Sequence, residues 1–147
     1  MKEQLAEKPK STYHHGNLKA ALVTEATNMI VTNGIEALSL RKLAQEVGVS
    51  RTAAYHHFKD KAALLSAIAV TGFELWQKQS EAILNDEKLI AKEKFSQFVR
   101  AYIRFANENA HLYELMFGRE IWQQHQNSEE LTDIAYKSFY YQVEMTK

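Results

Sequence analysis

The twenty residues Ser39–Phe58, SLRKLAQEVGVSRTAAYHHF, constrain this chain more than any other stretch. They read as two short helices joined by a tight turn. Ser39 is placed to cap the first, and Leu40, Leu43, Ala44 and Val47 give it one apolar face at helical spacing. Gly48 supplies the left-handed backbone that ends it. Val49 tucks between the helices, and Ser50 caps the second. Ala54 and Phe58 then point inward, which leaves Arg51, Thr52, Ala53, Tyr55 and His56 facing mostly outward. A helix–turn–helix of this kind places its second helix in the major groove of DNA.

The run Ser39–Leu65 resembles the DNA-binding module of TetR-family transcriptional regulators. Arg41, Gly48, Val49, Ser50, Tyr55, His57, Phe58 and Lys61 fit that family's pattern, and Ala54 stands where the family usually has Leu. The likeness extends upstream to Tyr13-His14-His15-Gly16-Asn17-Leu18, which resembles the start of one TetR subgroup. A second, weaker likeness lies in Tyr102–Phe117, YIRFANENAHLYELMF, with Ala110 in place of the usual Pro.

Composition sets the outer bounds. A chain of 147 residues suits one domain, or two small ones sharing a core. At this length roughly 68–70% of the unfolded surface is buried, so a real core is possible. No run of 18 apolar residues suggests a membrane span. The opening segment lacks the apolar stretch of a secretory signal, and there is no cysteine. The expectation is a cytoplasmic protein. Net charge is zero, yet residues 1–61 hold nine basic and six acidic side chains, and residues 62–147 hold nine and twelve. The basic footprint falls where the helix–turn–helix lies.

Taken in order, residues 1–12 read as a flexible N-terminal arm. Residues 13–61 read as the helix–turn–helix DNA-binding domain, and 62–147 as a helical effector-binding domain. The first helix is expected over Leu18–Asn33, capped by Asn17 and ended by Gly34. A long fourth helix starts behind Asp60 and reaches about Leu84. Its interior Gly72 marks either close helix packing or a flexible point. A fifth helix is expected over Leu89–Asn107, with Phe95, Phe98, Val99, Tyr102, Ile103 and Ala106 as its apolar positions. A sixth follows near Ala110–Phe117, then a turn around Ile121-Trp122 and a polar loop over Gln123–Ser128. The last helix begins near Glu129, with Leu131, Ile134, Ala135, Phe139 and Val143 as its apolar pattern. It is still running at Lys147 without a stop signal. Related TetR-type chains continue with two long helices that form a dimer interface, so the chain is expected to be truncated. The fold class is all-α throughout.

Candidate site residues fall into two sets. Arg51, Thr52, Ala53 and His56 are candidate base readers, since these side chains match donors, acceptors or the thymine methyl on base edges. Tyr55, Lys61, Ser39 and Arg41 resemble the family's phosphate contacts, with Ser50 at the helix start. Tyr13 and the His pair could reach the backbone from the arm. The second set consists of aromatic and apolar residues that could line an effector cavity: Phe73, Trp76, Phe98, Tyr102, Phe105, Tyr113, Met116, Phe117, Trp122 and Tyr140. A plain core is the competing reading for each of them. An apolar or aromatic small molecule suits such a lining, and Arg100, Arg104 or His111 could pair an acidic group if one points inward.

Adjacent histidines on a helix point apart, so neither His-His pair reads as a metal site, and no motif points to catalysis or a cofactor. The resemblance implies a ligand-responsive repressor that binds a palindromic DNA operator as a homodimer in its complete form. The competing class is a helical protein-interaction module in which the helix–turn–helix is only structural.

Overall fold

Four short polar side chains set where helices begin. Ser39, Ser50, Asp60 and Ser128 each stand in extended backbone just before a helix. Each accepts from the main-chain N–H three residues on, at 3.1 Å from Lys42, 3.1 Å from Ala53, 2.8 Å from Ala63 and 3.1 Å from Leu131. Each thereby satisfies a donor that the first helical turn leaves free. Asn17 corrects the sequence reading. It precedes the first helix, but its side chain accepts no cap hydrogen bond. At φ −145°, ψ 41° its backbone is not in the extended form of the other four.

The structure is a computed structural model that describes residues 17–123 and 128–147. The arm at 1–12, the residues Tyr13, His14, His15 and Gly16, and most of the polar loop lie outside these. The helices are α1 Leu18–Asn33, α2 Leu40–Val47, α3 Arg51–His57, α4 Lys61–Leu84, α5 Ala91–Glu108, α6 Ala110–Phe117, α7 Arg119–Gln123 and α8 Glu129–Met145. A 3-10 turn over Ile35–Ala37, not anticipated from the sequence, joins α1 to α2. There is no strand among the described residues. The fold class is all-α, as the sequence implied. No described helix is long and apolar enough to cross a membrane.

Helix α5 starts two residues later than expected. Glu93 accepts from the Ile90 N–H at 3.1 Å and fixes that start. Only half of a capping box is formed there, because an isoleucine offers no side-chain acceptor. The Lys94 ammonium reaches back to the Leu84 carbonyl at 2.6 Å, placing a cation on the open end of α4.

Buried side chains form one continuous cluster from Leu22 to Met145, with α4 at its centre. Gly72 of α4 is buried where α6 crosses. A Cβ built there would stand 2.6 Å from the Met116 Sδ and 3.2 Å from the Leu112 Cδ1. Close packing, rather than a flexible point, explains this glycine.

Helix α8 lies along α4. Ser66 and Ser128 hydroxyls meet at 3.2 Å near the starts of the two helices. Near their ends the Tyr141 hydroxyl donates to Glu81, which also accepts from the Gln77 amide at 2.9 Å. The two ties run in the same order along both helices, so α4 and α8 are parallel. Between them Ser80 and Ser138 are buried, each donating to its own helix, at 3.0 Å to Trp76 O and 2.9 Å to Ile134 O. A small hydroxyl satisfied within its own helix lets two backbones approach without stranding a polar group.

Two apolar patterns are corrected. On α5, Phe98 and Phe105 are buried with Tyr102 half-buried, whereas Phe95, Val99 and Ile103 are exposed. These three form a ridge at four-residue spacing beside the packed face. On α8, Leu131, Ser138 and Met145 are buried and Ile134 and Ala135 partly so, whereas Phe139 and Val143 are exposed. Apolar residues on two adjacent stripes gave the sequence no sign of which stripe faces α4.

Candidate nucleic-acid interface

The turn between α2 and α3 is set by Gly48. Its φ of 79° and ψ of 32° lie in the left-handed region. That conformation turns its N–H onto the carbonyls of Ala44 at 2.9 Å and Gln45 at 3.2 Å, while the Val49 N–H also reaches Ala44 O at 2.9 Å. These bonds close the end of α2 and fix the direction in which α3 departs. Helix α3 is then held by Ala54 and Phe58, both buried, with Val49 half-buried beneath them. Alanine at position 54 fits a fully enclosed site.

The opposite face of α3 is open. Arg51, Thr52, Tyr55 and His56 are exposed and Ala53 half-buried. The structure thus brings the four candidate base readers and Tyr55 onto one short helix. Ser39 and Ser50 stand at the starts of α2 and α3, and each hydroxyl proton stays available after the oxygen has accepted its cap bond. Arg41 is exposed on α2, next to exposed Lys42.

Lys61 differs from the simple picture. Its ammonium donates to the Ile35 carbonyl of the 3-10 turn at 3.2 Å, which ties the start of α4 to the end of α1. Two of its three donors are left for a phosphate. Lys42, Lys59 and Lys19 were not singled out from the sequence, and all three are exposed. The Lys19 ammonium sits 5.9 Å from the centre of the Phe58 ring. The basic-residue count of the first 61 positions was the available signal for them. Among the described residues no three metal-ligating side chains converge.

The second candidate set divides. Trp76, only 1% exposed, is ringed by Phe98, Tyr102 and Phe105 at centroid distances of 5.3, 5.3 and 5.5 Å. Its indole N–H has no hydrogen-bond partner among the described residues. Tyr102 and Tyr113 join hydroxyls at 2.6 Å. Burial, helped by that hydrogen bond, pushes the Tyr102 phenol up to about 12. Met116 is fully buried against Gly72. These residues pack on one another as core. Phe73, Phe117 and Trp122 instead line a cleft closed by α8. One lobe, about 280 Å³, is bounded by Trp122, Thr132, Ala135, Tyr136 and Phe139. An adjoining lobe of about 150 Å³ adds Phe73, Phe117, Ser138 and Gln142. Tyr140 is 59% exposed and lines neither lobe. Arg100, Arg104 and His111 are exposed and line neither lobe. Arg100 donates to Ser96 at 2.6 Å, and the His111 ring lies against Gly34 at the end of α1.

An all-α chain with a capped helix–turn–helix, an open polar face on its second helix and a helical second half is the class these features define. Residues 22–68 match the family of bacterial regulatory proteins described as the tetR family. Over 51 residues the chain is 41% identical to the class C tetracycline repressor protein of Escherichia coli, a match that covers 35% of this chain and 23% of the repressor. The chain therefore spans about a quarter of that relative's length. A solved structure of a protein of unknown function from Rhodococcus sp. RHA1 superposes with a TM-score of 0.78 at 31% identity, covering 92% of this chain and 69% of that one. A TetR-family transcriptional regulator, PfmR from Thermus thermophilus, shares the fold with a TM-score of 0.64 at 24% identity, over 85% and 68% of the two chains. The module at residues 22–68 is therefore of the tetR family of bacterial regulatory proteins.

Proposed function

We propose that this chain is a sequence-specific DNA-binding transcriptional regulator and acts as a ligand-responsive repressor. Two copies bind a palindromic operator, with their recognition helices roughly 34–36 Å apart, one DNA turn. The observation that carries this reading is the division of α3. Ala54 is buried on one side, while Arg51, Thr52, Tyr55 and His56 are exposed on the other. A polar face is ordinary for a surface helix, but here it carries Arg, Thr, Tyr and His on the helix that a helix–turn–helix presents to the major groove. The tetracycline repressors that the N-terminal module resembles, and the family itself, support the same reading.

Helix α4 links the two halves. It begins three residues after Phe58 and carries Phe73 to the wall of the cleft. Helix α6 adds a second link where His111 rests on Gly34. A ligand that displaces α4 or α6 therefore bears on the position of α2 and α3. Coupling of this kind is reciprocal, so operator binding weakens ligand binding by the same factor.

The test separates base readers from positioning contacts. Arg51→Ala is expected to cost about 1–3 kcal/mol at the operator and to relax preference at one base step. Lys61→Ala is expected to weaken all sequences alike and to lower the salt slope by about one, measured by fluorescence anisotropy across salt concentrations. A changed sequence preference in Lys61→Ala, with none in Arg51→Ala, would reverse the assigned roles. Equal affinity of both variants and the parent for every duplex would favour a helical interaction module instead.

A further inference from the structure

We infer that the cleft between α7 and α8 takes a flat, uncharged aromatic molecule carrying one hydrogen-bond donor, such as a phenol or an N–H heterocycle. This rests on the ligand-responsive reading above and names the chemistry of its ligand.

The walls set the shape. Phe73, Phe117, Trp122, Tyr136 and Phe139 supply aromatic faces and edges from four helices, and Ala135 leaves room between them. Aromatic rings stack on or abut one another in this way, and lobes of about 280 and 150 Å³ accommodate a fused pair of rings. Trp122 cannot turn to meet a ligand as a donor, because its indole N–H is held by the Met116 carbonyl at 2.8 Å. It offers ring surface only.

The described lining of the cleft offers no countercharge. Among its described lining residues none is ionisable at neutral pH. The arginines and the histidine that could have met an acid point elsewhere. A carboxylate or an ammonium would give up hydration with no countercharge in return. The aromatic faces attract a cation, but without a carboxylate nearby that attraction stands alone against desolvation.

The polar atoms set the functional group. Thr132 donates its hydroxyl proton to Ser128 O at 3.3 Å, and Ser138 donates to Ile134 O at 2.9 Å. Each hydroxyl has one proton, and both are used within α8. What each still presents is an acceptor lone pair. Ser138 is itself 3% exposed, so its oxygen is available only to a partner within the packed interior or at the floor of the cleft. A ligand O–H or N–H is the complement to such a site. Among the described lining residues, a ligand bearing only acceptors finds the Gln142 amide and, at the exposed rim, the Tyr136 hydroxyl.

The experiment is calorimetric titration of the chain at neutral pH with four naphthalene probes of similar size. They are 2-naphthol, 2-methoxynaphthalene, 2-naphthoate and 2-naphthylmethylammonium. The expected order puts 2-naphthol first. Its Kd is about fivefold to tenfold below that of the methyl ether, the value of one hydrogen bond, and about tenfold or more below both charged probes. The combined Thr132→Ala, Ser138→Ala variant is expected to erase the difference between naphthol and its ether. Phe139 is 61% exposed, so Phe139→Lys leaves the core intact and should turn preference toward 2-naphthoate. Tighter binding of either charged probe by the parent protein, or no binding of any of the four, would overturn the inference. A parallel anisotropy titration with selected duplex DNA separates the two readings. If 2-naphthol binds as expected but DNA affinity does not change, the ligand chemistry stands and the ligand-responsive regulation fails.

Discussion

Trp76→Ala is expected to lower stability by about 3–5 kcal/mol, the range for removing a large aromatic side chain from a packed core. Three rings close on Trp76 within 5.5 Å, and its side chain has almost no solvent contact. The indole N–H has no partner among the described residues, so no hydrogen bond to them is lost with it. The whole cost is then lost contact and the cavity left behind. Trp76→Phe tests that division. It keeps most of the ring packing and removes the orphan donor, and is expected to cost about 1 kcal/mol. Urea unfolding of both variants measures these values. A cost below about 1 kcal/mol for Trp76→Ala would mean that the cluster of α4 and α5 is loose, and that a cavity lies among the residues described as core.

The second large effect is expected at Gly72. Overpacking a filled core typically costs about 1–3 kcal/mol, and Gly72→Val should fall in the upper part of that range. A β-carbon at this position meets the Met116 Sδ and Cγ at 2.6 and 2.9 Å, closer than real contacts allow. Valine adds two methyl groups beyond that point. Gly72→Ala carries an opposing term, because alanine gains about 1 kcal/mol over glycine in a helix interior. It is therefore expected to fall short of that gain. Pairing it with Met116→Ala should give a combined effect that differs from the sum of the two, since they share one space. Full recovery of the helix-propensity gain in Gly72→Ala, with no coupling to Met116, would instead identify a flexible point in α4.

Local signals were the legible ones. Ser39, Gly48, Ser50 and Asp60 act through the backbone within a few residues of themselves, so residue type and spacing alone disclose their roles. The inward Ala54 and Phe58 followed from the spacing of one short helix. What joins distant parts of the chain was not legible. The Lys61 bond to Ile35 O spans 26 residues, and nothing in the local sequence marks it. The α5 stripe was misjudged because apolar residues cover two neighbouring faces, and only the position of α4 decides between them. The cleft was half visible. Phe73, Phe117 and Trp122 were named from their aromatic character. That character cannot distinguish a wall from a core, so Trp76, Phe98 and Phe105 were named with them. Thr132, Ser138 and Gln142 were missed because small and polar residues on a helix ordinarily mean a solvated face, and Ala135 was read only as part of the apolar pattern of α8.

The central claim is that the open face of α3 reads DNA sequence. Its most direct measurement is selection of bound duplexes from a random DNA pool, run in parallel with the parent chain and with Arg51→Ala. The expected result is an enriched motif of a few base pairs for the parent, appearing as inverted copies wherever two chains bind together. One position of that motif should become degenerate with Arg51→Ala. Recovery of duplexes with no common sequence, or of the same motif undiminished by Arg51→Ala, would contradict it.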